Sequence, residues 1–381
     1  MGARALQFVV LLALLVGVAE AYARFGLGIT PAPLTDDSAF AQALAKFVEP
    51  DPQLGFRYRS NVDQLVTAPT GDFEILFKTN EIGLRDRPMG THLRSELKFL
   101  VFGDEFTESW GTDIDEAAII NAQRLLNEMT ALKPPVRLVI GGKSGYGAAQ
   151  NLALARQLVE QLKPQALVFM YSSLMPHADQ MFRQASAGGG SLLLPHTADY
   201  PRYAGNPWAP FAAYSALARL LGESSAARTM AARNVPGDAA RDRYAGIRGD
   251  DATLREMHAV TLESVQALAT LAHRQDIPFM LVHLPLPPQV AADEWPGGRA
   301  LFGLPETVLP APDAALVAEF CSRAGLRCHA LHELMAAAAA APDSLPLYHR
   351  SEIGLTVAGN RVVGDWLAKT LYDWMGELGL R

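Results

Sequence analysis

Leu97 to Asp113 reads LKFLVFGDEFTESWGTD. The apolar run Phe99-Leu100-Val101-Phe102 stops at Gly103. A short uninterrupted apolar run bounded by a turn residue suits a strand buried on both faces of a parallel sheet. Beyond it, Asp113 and Glu116 stand three apart ahead of Ala118, Ala122, Leu125, Met129 and Leu132. That is a capping pair followed by a helical apolar stripe. The unit is strand, Gly103-Asp104-Glu105 turn, loop, helix. In open α/β sheets the loops at the carboxyl ends of strands hold ligands, so this turn is the first place to look for chemistry.

The alternation continues along the chain. Val136 to Ile140 reads as a strand, Gly141 to Gly147 as a glycine-rich turn, and Ala149 to Leu162 as a helix with Leu152, Ala155, Leu158, Val159 and Leu162 on one face. Strands follow at Ala166 to Tyr171, Phe279 to Leu284 and Arg327 to Leu331, with helices at Thr253 to Arg274, Ala314 to Ala324 and Thr356 to Trp374. Strands alternating with helices predict a three-layer α/β domain with a mainly parallel sheet from residue 97 to 381. Residues 26–96 read as a lead-in: a short helix near Ala39 to Phe47, then extended pairs in which Phe73, Ile75 and Phe77 alternate. Residues 181–251 read as an insertion over the carboxyl edge of the sheet, with a short helix over Pro210 to Leu221. Its Gly188-Gly189-Gly190 run and aromatics Tyr200, Tyr203 and Trp208 either pack on the domain or stack on sugar rings.

The net charge of −7 argues against nucleic acid, which needs clustered Lys and Arg. The two cysteines, Cys321 and Cys328, lack companions at metal-ligand spacing, so no metal and no cofactor are expected. They either pair in an oxidising compartment or stay as two buried thiols.

Arg4 followed by the apolar run Ala5 to Ala19 reads as a signal anchor or signal peptide over residues 1–25, with Ala19-Glu20-Ala21 and Ala21-Tyr22-Ala23 as small-residue cleavage sites. The expectation is a protein anchored in the inner membrane and facing the periplasm, or periplasmic or secreted if the segment is cleaved.

Four segments carry a resemblance. Gly103-Asp104-Glu105-Phe106-Thr107-Glu108-Ser109-Trp110-Gly111 resembles the first block, GDSFTEGWG, of the SGNH/GDSL hydrolases. Thr79 to Asp86, TNEIGLRD, is similar to the segment that precedes it in exported members. Lys143 to Gln150, KSGYGAAQ, resembles the second block, and Leu347 to Arg361, LYHRSEIGLTVAGNR, the closing block. The resemblance implies a flavodoxin-like three-layer fold. It also implies the exported, membrane-anchored type associated with polysaccharide O-acetylation. Its implied partners are a polysaccharide or its acylated form, a membrane-bound O-acyltransferase, and the membrane itself through the N-terminal segment.

The same alignment puts substituted residues at the catalytic positions. Glu105 stands where the family has its nucleophilic serine, Leu174 where it has the oxyanion asparagine, and Gly354 where it has the base histidine, with Glu352 as the orienting carboxylate. Gly145 falls where the family glycine gives its backbone N–H to the oxyanion. Ester hydrolysis needs a nucleophile, a base and oxyanion donors, and loss of single triad members already costs factors of ~10⁴. The pattern implies a non-catalytic binding or accessory protein in cell-envelope or exopolysaccharide assembly or acetylation. The alternative is an O-acyl esterase or acetyltransferase rebuilt on Glu105, Asp104 and His349. Asp104, Glu105, Ser144, Gly145, Ser172, Ser173, His177 and His349 are the candidate pocket residues.

Overall fold

The computed structural model describes residues 3–31, 46–68, 70–90, 96–130, 135–188, 209–212, 214–222, 251–302 and 304–380. Five parallel strands form the central sheet: β5 (Leu97–Phe102), β6 (Val136–Ile140), β7 (Ala166–Tyr171), β8 (Phe279–His283) and β9 (Arg327–Ala330). Their spatial order is β6-β5-β7-β8-β9. β5 is therefore flanked by β6 and β7, and the Gly103 turn opens at the point where strand order reverses, the place where such sheets hold ligands.

Side-chain alternation along the strands builds two cores. Phe99, Val101, Leu138, Val168 and Met280 pack on one face, under helices α2 (Ala118–Thr130) and α7 (Val357–Glu377). Leu100, Phe102, Val139, Phe169 and Leu281 pack on the other. There they meet α3 (Ala148–Leu162), α5 (Asp251–Arg274) and α6 (Pro312–Ala324). Helix α4 (Met175–Gly188) follows β7 directly.

The lead-in forms two antiparallel pairs, β1 (Val48–Asp51) with β2 (Gly55–Tyr58) and β3 (Asp63–Thr67) with β4 (Glu74–Lys78). Phe47, Phe56, Tyr58, Phe73 and Phe77 join the second core beside Trp110 and Tyr146. The expected helix at Ala39 lies mostly outside the described residues, as do Tyr200, Tyr203 and Trp208. The helix expected from Pro210 is two short helices, Ala209–Ala212 and Ala216–Gly222. Cys321 on α6 and Cys328 on β9 are joined in a disulfide.

The expected N-terminal membrane anchor is corrected. The segment is helical, α1 (Ala3–Ala21), but no helix among the described residues is long and apolar enough to cross a membrane. The apolar run Ala5 to Ala19 rises only about 22 Å as a helix, against a hydrocarbon core of about 30 Å. The run ends at Glu20, which turns toward the insertion. Its carboxylate accepts the backbone N–H groups of Ala216 and Leu217 at 2.9 Å each and the Ser215 hydroxyl at 2.7 Å. Those bonds, with Arg24, hold its pKa down to about 2.

Candidate functional site

Gly103 follows β5 and leaves no room for a side chain: a β-carbon there would meet the Met170 carbonyl at 2.7 Å and overlap Thr107. The next residue, Asp104, caps the short helix Glu105–Glu108 by accepting the Phe106 N–H at 3.1 Å. Its other oxygen accepts the Ser172 hydroxyl, and Ser172 Oγ accepts the Leu174 N–H at 3.1 Å. Glu105 points to the turn after β6, where the Gly145 N–H donates to its Oε2 at 3.4 Å. Gly145 can aim that N–H because it sits at φ +78°, a conformation glycine adopts freely.

Asp104, Glu105, Gly145, Leu174 and His177 line one small cavity of about 10 Å³. That is room for about one water. Burial, reinforced by the Glu105 charge, raises the Asp104 pKa well above the usual carboxylate range, against the pull of Ser172 and the backbone N–H groups. Asp104 therefore resists ionising. Glu105 itself is buried at 1% exposure.

A further buried carboxylate, Glu108, escaped the sequence reading. It accepts the Tyr58 hydroxyl at 3.0 Å and the Ser144 backbone N–H. Lys143 lies over the Tyr58 ring at 4.6 Å and donates to the Gly83 carbonyl at 2.7 Å. Arg85 donates to the carbonyls of Glu108 at 2.6 Å and Ser109 at 3.0 Å, and to that of Thr112. Burial lowers the Lys143 pKa to about 8 even though Glu108 opposes it. Burial likewise raises Glu108, with Arg85 opposing. The lead-in thus supplies Tyr58 and Arg85 to fix the loop that follows the Gly103 turn. The signal for this was present in Arg85 of TNEIGLRD, but its partners are backbone carbonyls, which a residue pattern does not display.

The closing block sits elsewhere. Tyr348 bridges to Leu355, and the His349 N–H donates to the Gly354 carbonyl at 3.0 Å. Asp72 accepts the backbone N–H groups of Ser351 at 2.6 Å and Glu352 at 2.7 Å. Glu352 accepts the Thr70 hydroxyl at 3.1 Å. Gly354 packs on the Trp110 carbonyl and does not line the Glu105 cavity. His349 lines a separate, larger cavity with Phe73, Gly111 and Trp295. Burial lowers its pKa, against Asp72 and the Gly111 and Leu355 backbone.

Ser173 turns away as well. Its hydroxyl donates to Asp313, which also pairs with His283 Nε2 at 2.8 Å and accepts Gln289 Nε2 at 2.8 Å. Burial pushes Asp313 up, but the His283 and Ser173 bonds outweigh it and bring its pKa to about 2. Nearby, the Tyr171 hydroxyl meets His258 Nδ1. Among the described residues no group of three or more His, Cys, Asp or Glu side chains is placed to hold a metal ion.

No family model matches the chain, and no curated protein matches it. Solved structures do. TesA is 13% identical, with 72% of this chain and 99% of TesA covered and a TM-score of 0.38. The psychrotrophic esterase EstA from Pseudoalteromonas sp. is 11% identical over 74% of this chain and 100% of its own, with a TM-score of 0.37. Axe2, an acetylxylan esterase from Geobacillus stearothermophilus, is 12% identical over 72% and 94%, with a TM-score of 0.38.

The likeness is a distant one to the GDSL/SGNH-like esterase fold, and at these values it carries no argument about activity. It also corrects the expected kinship. The narrower resemblance, to the membrane-anchored polysaccharide O-acetylation type, gives way to this distant likeness of fold. The N-terminal segment is not supported as a membrane anchor, since no helix among the described residues is long and apolar enough to cross a membrane.

Proposed function

We propose that this protein does not hydrolyse esters and acts as an exported binding or accessory protein in cell-envelope or exopolysaccharide assembly or acetylation. The observation that carries this reading is the small size of the Glu105 cavity. A space of about 10 Å³ takes a water and no acyl group. Glu105 puts a carboxylate at the strand-end position, which repels the oxyanion that acyl transfer must stabilise. A usable base must lie within hydrogen-bond reach of the group it activates; His349, the base of the rebuilt-site alternative, lines a different cavity, and the histidine beside Glu105 is His177. Export is supported by the Cys321–Cys328 disulfide, since such bonds persist in oxidising compartments. The test is hydrolysis of a small activated acetyl ester by the purified protein. Turnover no higher than that of a Glu105→Ala variant is expected.

A further inference from the structure

We propose that Lys143 is a proton-operated latch: the lead-in docks more tightly on the α/β domain when the Lys143 amine is neutral, so docking strengthens as the surroundings turn alkaline. The latch is built from Tyr58, Arg85, Glu108 and Lys143, side chains that are all 3% exposed or less. They come from both sides of the junction. Tyr58 lies on β2 and Arg85 in the turn after β4, while Glu108 ends the short helix after β5 and Lys143 lies in the turn after β6.

The charges in this buried cluster do not balance. Two cations, Arg85 and Lys143, face one carboxylate, Glu108. Arg85 gives its donors to the carbonyls of Glu108, Ser109 and Thr112. Glu108 accepts from the Tyr58 hydroxyl and the Ser144 N–H. Arg57, on β2, adds a further positive charge near the amine. Tyr146, on the same turn as Lys143, stays a neutral phenol, its pKa raised by burial. A guanidinium does not give up its proton in a protein, whereas a buried lysine does so readily. The Lys143 Nζ donates to the Gly83 carbonyl at 2.7 Å. A neutral amine keeps two N–H groups, so loss of the proton removes the excess charge and retains that bond.

The sign follows from the two states of the junction. In the docked state burial lowers the Lys143 pKa from 10.5 to about 8, against the pull of Glu108 and with the help of Arg57. The face of Tyr58 at 4.6 Å favours the charged form as well, and burial outweighs both. With the lead-in lifted away, the amine meets water and returns to its ordinary value. The undocked state therefore binds the extra proton between those values, and docking tightens as pH rises through the window. From pH 7 to pH 9 the docking constant gains about tenfold. Tyr58 does not titrate in that span, because burial holds its hydroxyl well above its usual value. The latch acts on the turn that lines the Glu105 cavity, since Glu108 holds the Ser144 N–H and Glu105 the Gly145 N–H. It does not depend on whether that cavity is catalytically silent.

The test is native-state hydrogen exchange of the full chain at pH 7, 8 and 9, corrected for the intrinsic exchange rate. Protection of the β2, β3 and β4 amides should rise about tenfold from pH 7 to pH 9 in the wild type. Lys143→Met carries no charge at any of these pH values and Lys143→Arg carries one at all of them, so both should give flat profiles. A flat wild-type profile would overturn the proposal, and so would an equal rise in either variant. A second measurement stands where a variant fails to fold: titration of the Lys143 side chain by NMR in selectively labelled wild-type protein. A midpoint near 8 is expected. A midpoint at the ordinary lysine value would overturn the proposal. An ester-hydrolysing wild type would refute the proposed function and leave this result standing.

Discussion

Gly354 lies against the carbonyl oxygen of Trp110: a β-carbon at 354 would come 2.6 Å from that oxygen and 3.4 Å from the His349 ring. The position that the sequence resemblance assigns to a base histidine therefore has no space for a side chain unless backbone moves. Gly354→Ala should destabilise the protein by about 1–3 kcal/mol, the usual cost of overpacking, and Gly354→His by at least as much. Urea unfolding at neutral pH measures this. A neutral Gly354→His variant would show that the loop gives way freely and that the packing argument fails.

Asp313 ties three elements together. It joins Ser173 after β7, His283 at the end of β8 and Gln289 beyond it, all from the first turn of α6. Asp313→Ala strands three buried groups at once and should cost about 3 kcal/mol or more. Asp313→Asn keeps the shape and should cost less. Equal stability of Asp313→Ala and wild type in urea would mean that the cluster contributes nothing net.

His258 should make the fold acid-labile. Burial, with the nearby His283, lowers its pKa from 6.5 to about 4, against the pull of Asp313. The unfolded chain then binds the extra proton between those values, so stability falls as pH drops through the window. From pH 7 to pH 5 the loss is about 2 kcal/mol. Asp86 works in the opposite sense over part of the same range. Burial pushes it up to about 6 against Arg137, so its contribution fades as pH rises. Comparison with His258→Gln isolates the histidine: the variant should lose less stability than wild type between pH 7 and pH 5. Parallel pH profiles would contradict the assignment.

The disulfide offers a direct check on compartment. Cys321 and Cys328 are the only cysteines in the chain. Protein recovered from an oxidising compartment should show no alkylatable thiol when denatured without reductant, and two after reduction. Replacing both with serine should cost about 2 kcal/mol, the loop-closure value for so short a loop. Two reactive thiols before reduction would remove the support for export.

The sheet was legible because its strands are buried on both faces and so appear as unbroken apolar runs ending in glycine or a turn. Phe99 to Phe102, Val136 to Ile140 and Ala166 to Tyr171 occupy three adjacent parallel strands. The Asp104–Glu105 turn and Gly145 were legible for the same reason, since each follows a strand end. The anchor was misread because composition alone does not show that Glu20 is drawn to Ser215 and the residues after it, far along the chain. The Asp313 partner of His283 lies on a helix with no local pattern to mark it. His349 and Glu352 were grouped with Glu105 by their place in a motif. Their actual neighbours, Phe73, Asp72 and Thr70, come from the lead-in sheet, and a long-range contact of that kind leaves no trace in spacing.

The central claim is that the strand-end cavity around Glu105 is closed to ester chemistry. The most direct measurement is the rate of acetyl release from a small activated acetyl ester by wild type, Glu105→Ala, Glu105→Ser and His349→Ala. All four should match one another and the uncatalysed rate, Glu105→Ser included, because Gly354 supplies no base. Turnover by the wild type that disappears in Glu105→Ala or His349→Ala would contradict the account and establish a rebuilt active site.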